Sequence, residues 1–196
     1  MKSDIRNWII LIAEESSHEA FEKLYLYFSP GMRAYAATLA GDQEVALDLV
    51  QDLFAGIWAN RRNLTSIDNI ATYLYCSLKN NAVHYLKTRK RGVTFFEEQS
   101  DLVTLECSNP ELDAIARENR RLLEAAINSL PHKCRLIFRL IKEDGLKYKD
   151  VAGLIDVSVK TVEAHMTLAY SRIVECLETI LPHHTRSYSS KRKSGS

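Results

Sequence analysis

Glycine and proline are scarce in this chain, at seven and four of 196 residues. Alternating apolar and polar runs are missing, so nothing argues for half-buried strands. Long amphipathic stretches fill their place, and the expected fold class is all-α. No stretch approaches the roughly 18 consecutive apolar residues of a membrane span. The short apolar run near the start (Trp8 to Ile12) is followed at once by acids, so it reads as a first helix rather than a signal peptide, and the expected location is cytoplasmic. The four cysteines, Cys76, Cys107, Cys134 and Cys176, form no C-x-x-C pair. A zinc site is therefore not expected, nor is any other metal or cofactor. Gly-rich phosphate loops, nucleophile elbows and His-Glu metal motifs are also lacking, which removes the common catalytic constellations and points away from an enzyme.

What is present is a charge pattern. The formal net charge is only +1. Residues 1–96 carry a net +1, residues 97–118 a net −6 and residues 119–196 a net +6. A basic C-terminal part set off by an acidic segment suggests a nucleic-acid module on a linker. Gly92, Ser100, Ser108, Asn109 and Pro110 break the helical pattern in the same segment. The last residues, HHTRSYSSKRKSGS, have the composition of a basic disordered tail.

The stretch LKYKDVAGLIDVSVKTVEAHMTLAYSR (146–172) has the pattern of a helix-turn-helix. Val151, Ala152 and Ile155 form one apolar stripe, with Ala152 small enough for a close helix crossing. Asp156 sits where the chain must turn, and Asp tolerates left-handed backbone. Ser158 is a suitable N-cap for the second helix, whereas Lys147 is a poor one for the first. Val162, Met166, Ala169 and Ile173 recur at helical spacing and face inward. Lys160, Thr161, Glu163, Ala164 and His165 are left for the leading face, where base edges are read.

Upstream, HEAFEKLYLYFSPGMRAYAATLAG reads as two helices broken near Pro30–Gly31. The next helix opens on Asp42 as N-cap. In it Val50, Leu53, Phe54, Ile57 and Trp58 make a core face, opposite Asp48, Gln51, Asp52 and Ala55. In IDNIATYLYCSLKNNAVHYLKTRKR, Ala71, Leu74, Tyr75, Leu78, Ala82 and Tyr85 share one face, and Asn80, His84 and Lys87 line another. From Lys79 to Arg91 there are five cations and no acid. Aromatics interleaved with amides and cations suit single-stranded or distorted nucleic acid, through stacking and phosphate neutralisation. A core helix ending in dipole-complementing cations would account for the terminal charges alone.

These pieces, in this order, resemble the extracytoplasmic-function (ECF) group of the sigma-70 family, the promoter-recognition subunits of bacterial RNA polymerase. DLVQDLFAGIW (48–58) is similar to the family's core-polymerase-binding helix. YLYCSLKNNAVHYLKTRKR (73–91) is similar to the segment that meets the −10 element, and residues 130–173 to the region that reads the −35 element. The resemblance implies two helical domains, at 1–92 and 120–181, with a linker at 93–119 and a tail at 182–196. It implies core-polymerase contact through Asp48, Gln51 and Asp52, with Phe54 and Trp58 holding the helix. It implies −10 contact through Asn80, His84, Lys87, Arg89 and Arg91. The −35 contact falls to Ser158, Lys160, Thr161, Glu163, His165 and Arg172. Double-stranded and melted promoter DNA, core polymerase and an anti-sigma factor are the implied partners, without membrane insertion. The chain departs from the family at His84, where an acid or Asn is common, and at His165 and Leu168, where Arg or Lys is common. The alternative is a helix-turn-helix regulator acting without polymerase.

Overall fold

The computed structural model describes residues 2–88 and 114–180, and among them no strand occurs. The first half holds α1 (Lys2–Glu15), α2 (His18–Ala40), α3 (Gln43–Ala59), a 3-10 turn (Arg61–Ser66) and α4 (Ile70–Thr88). The second holds α5 (Ala114–Asn128), α6 (His132–Lys142), α7 (Tyr148–Leu154) and α8 (Val159–Ile180). The α5 helix begins inside the stretch read as linker.

Local chemistry fixes the helix ends. The Ser17 hydroxyl accepts the Ala20 N–H at 3.2 Å and so caps α2. Asp42 caps α3 as expected, with Oδ1 accepting the N–H groups of Glu44 and Val45 at 2.8 and 3.2 Å. Between these helices Gly41 takes φ 68°, a left-handed C-cap whose N–H reaches the Ala37 carbonyl.

The expected break at Pro30–Gly31 does not occur, and α2 runs through it without interruption. A mid-helix proline costs about 3 kcal/mol or more. Leu24, Phe28, Met32 and Tyr35 are fully buried on either side of it. At about 1.5–3 kcal/mol per large apolar side chain, this stripe outweighs the proline. Pro30 itself is exposed. The carbonyl it leaves unbonded belongs to Leu26, which is also exposed, so water can satisfy it.

Helix α2 packs along α3 and α4, and α1 closes over α2 and the 3-10 turn. In the second half α5, α6 and α7 pack on α8. The halves also touch, α2 against α6 and α4 against α7, so that their buried side chains join in one continuous core.

Candidate nucleic-acid interface

Three surfaces carry the residues singled out from the sequence. On α3, Asp48, Gln51 and Asp52 are exposed in a row, with Ala55 beside them. Beneath them Phe54 is buried and Trp58 half-buried. Phe54 packs edge-on against Phe21 and Tyr25, at centroid distances of 5.9 and 4.9 Å. Trp58 meets Phe21 at 5.0 Å and His18 at 4.4 Å, while Arg61 lies over its ring at 4.8 Å. Phe54 thus fixes where the polar face points without offering surface itself.

On α4, Asn80, His84 and Lys87 are exposed on one line. Tyr73, 42% exposed, continues that line one turn pair back, at i−7 from Asn80. Tyr73 is not among the residues singled out from the sequence, though it shares their exposed line. Its spacing from Asn80 and Lys87 was the available signal, obscured because two neighbouring tyrosines on the same helix turn inward. Arg89 and Arg91 lie outside the described residues.

The third surface is the helix-turn-helix. Its turn depends on Asp156, which takes φ 54°. The Ser158 hydroxyl accepts the Thr161 N–H at 3.1 Å and pairs with the Thr161 hydroxyl at 2.8 Å. Ser158 is therefore first a cap, and Thr161 is its partner. Lys147 makes no side-chain cap bond, as expected from its type. Val162, Met166, Ala169 and Ile173 are buried, which turns Lys160, Glu163 and Ala164 outward. His165 is half-buried, and its backbone carbonyl accepts the Cys134 thiol at 3.2 Å. Arg172 is exposed two turns further along. Small and hydrogen-bonding side chains on a firmly seated helix suit major-groove reading.

A seam between the halves joins residues whose pairing the sequence did not point to. The Tyr75 hydroxyl donates to Asp144 Oδ2 at 2.7 Å, and the Tyr35 hydroxyl to the Leu154 carbonyl at 2.9 Å. Tyr27 donates to the Glu143 carbonyl at 2.6 Å, and Thr72 to Asp150 at 3.1 Å. The Lys79 ammonium meets the Gly153 carbonyl at 2.8 Å and both Asp156 oxygens at 3.0 Å. Burial pushes the Asp144 carboxyl up to about 7, further raised by Glu143 and opposed by the Tyr75 hydrogen bond and Arg139. Burial also drives the Tyr75 hydroxyl far above its ordinary value, so it stays a donor.

Among the described residues no group of His, Cys, Asp and Glu is arranged to hold a metal ion, and no helix is long and apolar enough to cross a membrane.

Comparison with known proteins identifies the family. The family model for sigma-70 region 2 matches residues 24–92, and that for sigma-70 region 4 matches residues 120–173. Together they span more than half of the chain. The ECF RNA polymerase sigma factor EcfG of Rhodopseudomonas palustris (strain TIE-1) is 26% identical over 144 residues, 74% of this chain and 77% of that protein. The ECF RNA polymerase sigma-E factor of Escherichia coli (strain K12) is 24% identical over 168 residues, 82% and 87% of the two chains. Among solved structures, the sigma factor RpoE bound to the anti-sigma factor NepR from Bartonella quintana is 25% identical, with TM-score 0.44, covering 81% of this chain and 96% of that one. CnrH in complex with the cytosolic domain of CnrY is 18% identical, with TM-score 0.42, over 90% and 98%. With both sigma-70 regions matched in order and relatives of one kind covered over most of their length, the chain belongs to the sigma-70 family, as an RNA polymerase sigma factor of the ECF group.

Proposed function

We propose that this sigma factor engages core RNA polymerase through Asp48, Gln51 and Asp52 of α3. It then reads the −10 element with Tyr73, Asn80, His84 and Lys87, and the −35 element with Lys160, Glu163, His165 and Arg172. The observation that carries this is the α3 face, where an exposed polar row lies over a fixed aromatic platform. A solvated helix face needs no such platform, whereas a docking face gains affinity from being held in place before binding. The near-neutral chain is consistent with it too. Two modest DNA contacts joined on polymerase gain effective concentration, so neither must bind tightly alone. At the −10 element an amide can pair with an unstacked base edge while Tyr73 stacks and Lys87 neutralises phosphate. The chain contributes binding and no chemistry of its own, and it acts in the cytoplasm beside polymerase. An anti-sigma factor as its inhibitor belongs to the same proposal.

Run-off transcription on a promoter library tests this. Core polymerase with this chain should initiate at a cognate promoter, and replacing Asp48 and Gln51 together by Ala should weaken core binding about tenfold or more. Thermal stability should stay within about 0.5 kcal/mol, because both side chains are exposed. A chain that only blocks transcription would favour a polymerase-independent regulator.

A further inference from the structure

Helix α8 turns a continuous stripe away from the core. Lys160, Ala164, Thr167, Leu168 and Ser171 are exposed at helical spacing, on the side opposite the buried Val162, Met166, Ala169 and Ile173. The stripe changes character along its length. Lys160 and the neighbouring Glu163 are charged. Ala164, Thr167 and Leu168, at i, i+3 and i+4, are neighbours on the helix surface and carry no charge. Between Lys160 and Arg172 there is no Lys or Arg, so this part of the helix has no such cation to offer a phosphate.

The two threonines add less polarity than their type suggests. The Thr167 hydroxyl donates to the Glu163 carbonyl at 3.0 Å, so its one hydrogen is spent on the helix. The Thr161 hydroxyl is engaged by Ser158 Oγ at 2.8 Å. What the helix presents beyond Glu163 is therefore a methyl from Ala164, a methyl from Thr167 and the isobutyl group of Leu168, which is 40% exposed. A lone exposed leucine calls for no explanation. This one completes a patch in the middle of a face otherwise set out to read hydrogen-bonding groups.

The major groove offers that patch one apolar partner. Thymine carries a C5 methyl beside its acceptor, whereas guanine, adenine and cytosine show only donors and acceptors. Set against those three bases, the patch would strip water from their edges and return no hydrogen bond, a net cost. Set against thymine, it buries methyl on methyl. Attraction for one base and a penalty for the others together make selectivity.

We propose that Ala164, Thr167 and Leu168 are specificity-determining residues that select thymine in the −35 element through its C5 methyl, next to the bases read by Lys160 and Glu163. The proposal rests on the reading of α8 given above.

Uracil differs from thymine only by that methyl, and so tests the contact without altering the protein. Holoenzyme assembled from core polymerase and the full chain would select promoters from a pool randomised over the −35 element. Thymine should be enriched at one or two adjacent positions. Uracil placed there should lower initiation about fourfold per methyl lost, the worth of one buried methylene-sized group. Leu168→Ala, at an exposed position, should cut that penalty below about twofold. In Glu163→Ala the penalty should stay about fourfold, because Glu163 meets other bases. Absence of thymine enrichment, or uracil tolerated at every enriched thymine, overturns the proposal. So does a penalty that persists in Leu168→Ala, which would mark an effect of DNA shape rather than methyl contact. A penalty lost equally in Glu163→Ala would assign it to the seating of the helix and overturn the patch as reader. A holoenzyme that initiates without preference at any −35 position overturns the reading of α8 itself, and one that never initiates overturns the sigma-factor reading.

Discussion

Replacing Phe54 by Ala should lower the unfolding free energy by about 3–5 kcal/mol, among the largest losses a single truncation can cause. The ring is 2% exposed and ties α3 to α2 through Phe21 and Tyr25. Removing it leaves a void that two neighbouring aromatic rings cannot fill without losing their own edge-to-face contacts, worth about 0.5–1.5 kcal/mol each. Total stability of a domain is about 5–15 kcal/mol, so about a fifth or more is at stake. Urea titration followed by circular dichroism would measure it. Polymerase binding should fall as well, but for a different reason than in the Asp48 and Gln51 double variant. In Phe54→Ala the loss should track the unfolded fraction and recover on cooling toward the temperature of maximum stability. A Phe54→Ala protein that melts within ~1 kcal/mol of wild type would mean that the aromatic platform does not set the α3 face.

The second large effect is a dependence on pH of the contact between the halves, the molecule being closed when they touch through Tyr75 and Asp144 and open when they are apart. In the closed molecule Asp144 titrates near 7, against an ordinary value of 3.8. Closing therefore takes up a proton. The closed state is favoured below the ordinary value without penalty, and loses ground as pH rises through the interval up to about 7. Across pH 6 to 8 the closed-to-open ratio should fall about tenfold, or ~1.4 kcal/mol. Several groups face the carboxyl. Tyr75 on α4 and Tyr27 on α2 stay protonated across this range, both being raised by burial. Arg139 favours the charged form and Glu143 opposes it. His132 lines the same crevice and is lowered by burial and by Arg135, a shift that acts with the opposite sign to that of Asp144. Lys79 to Asp156 is partly exposed and contributes at most about 1 kcal/mol. Energy transfer between dyes attached at the exposed positions Glu22 and Ser171, measured from pH 6 to 8 in wild type and in Asp144→Asn, isolates the carboxyl. A slope that persists in the variant would assign the proton to another group.

Most of each half was legible in the sequence, because its determinants are local. The stripe Val50, Leu53, Phe54 and Ile57 is buried as its spacing requires. Asp42, Asp156 and Ser158 do what their side chains favour at a cap or turn. Pro30–Gly31 misled because a local rule met a tertiary one. Proline opposes a helix by a few kcal/mol, but the buried stripe that overrides it is assembled from other helices. The glycine beside it has nothing to do with breaking α2 and everything to do with what lies across the seam, where a Cβ would lie 2.6 Å from the Tyr75 hydroxyl. Tyr75 was placed correctly on the inner face of α4, yet the meaning of its hydroxyl depends on Asp144, and no periodicity links residues so distant. Long-range polar contacts leave no trace in spacing.

One consequence follows from the thiol that holds the reading helix. Cys134 is 1% exposed and donates to the backbone of His165, and burial raises its thiol above the ordinary range. A bulky alkylating reagent can reach it only when α6 and α8 part. Cys76, by contrast, is exposed on α4 and should react at once. The lag between the two is a built-in clock for opening of the helix-turn-helix, needing no engineered label. On the proposal that α8 reads the −35 element, duplex carrying that sequence stabilises the seated helix by mass action, and at a hundred times its Kd should slow the Cys134 reaction by about a hundredfold while leaving Cys76 unaffected. Mass spectrometry of the two peptides would then footprint the bound promoter from inside the protein.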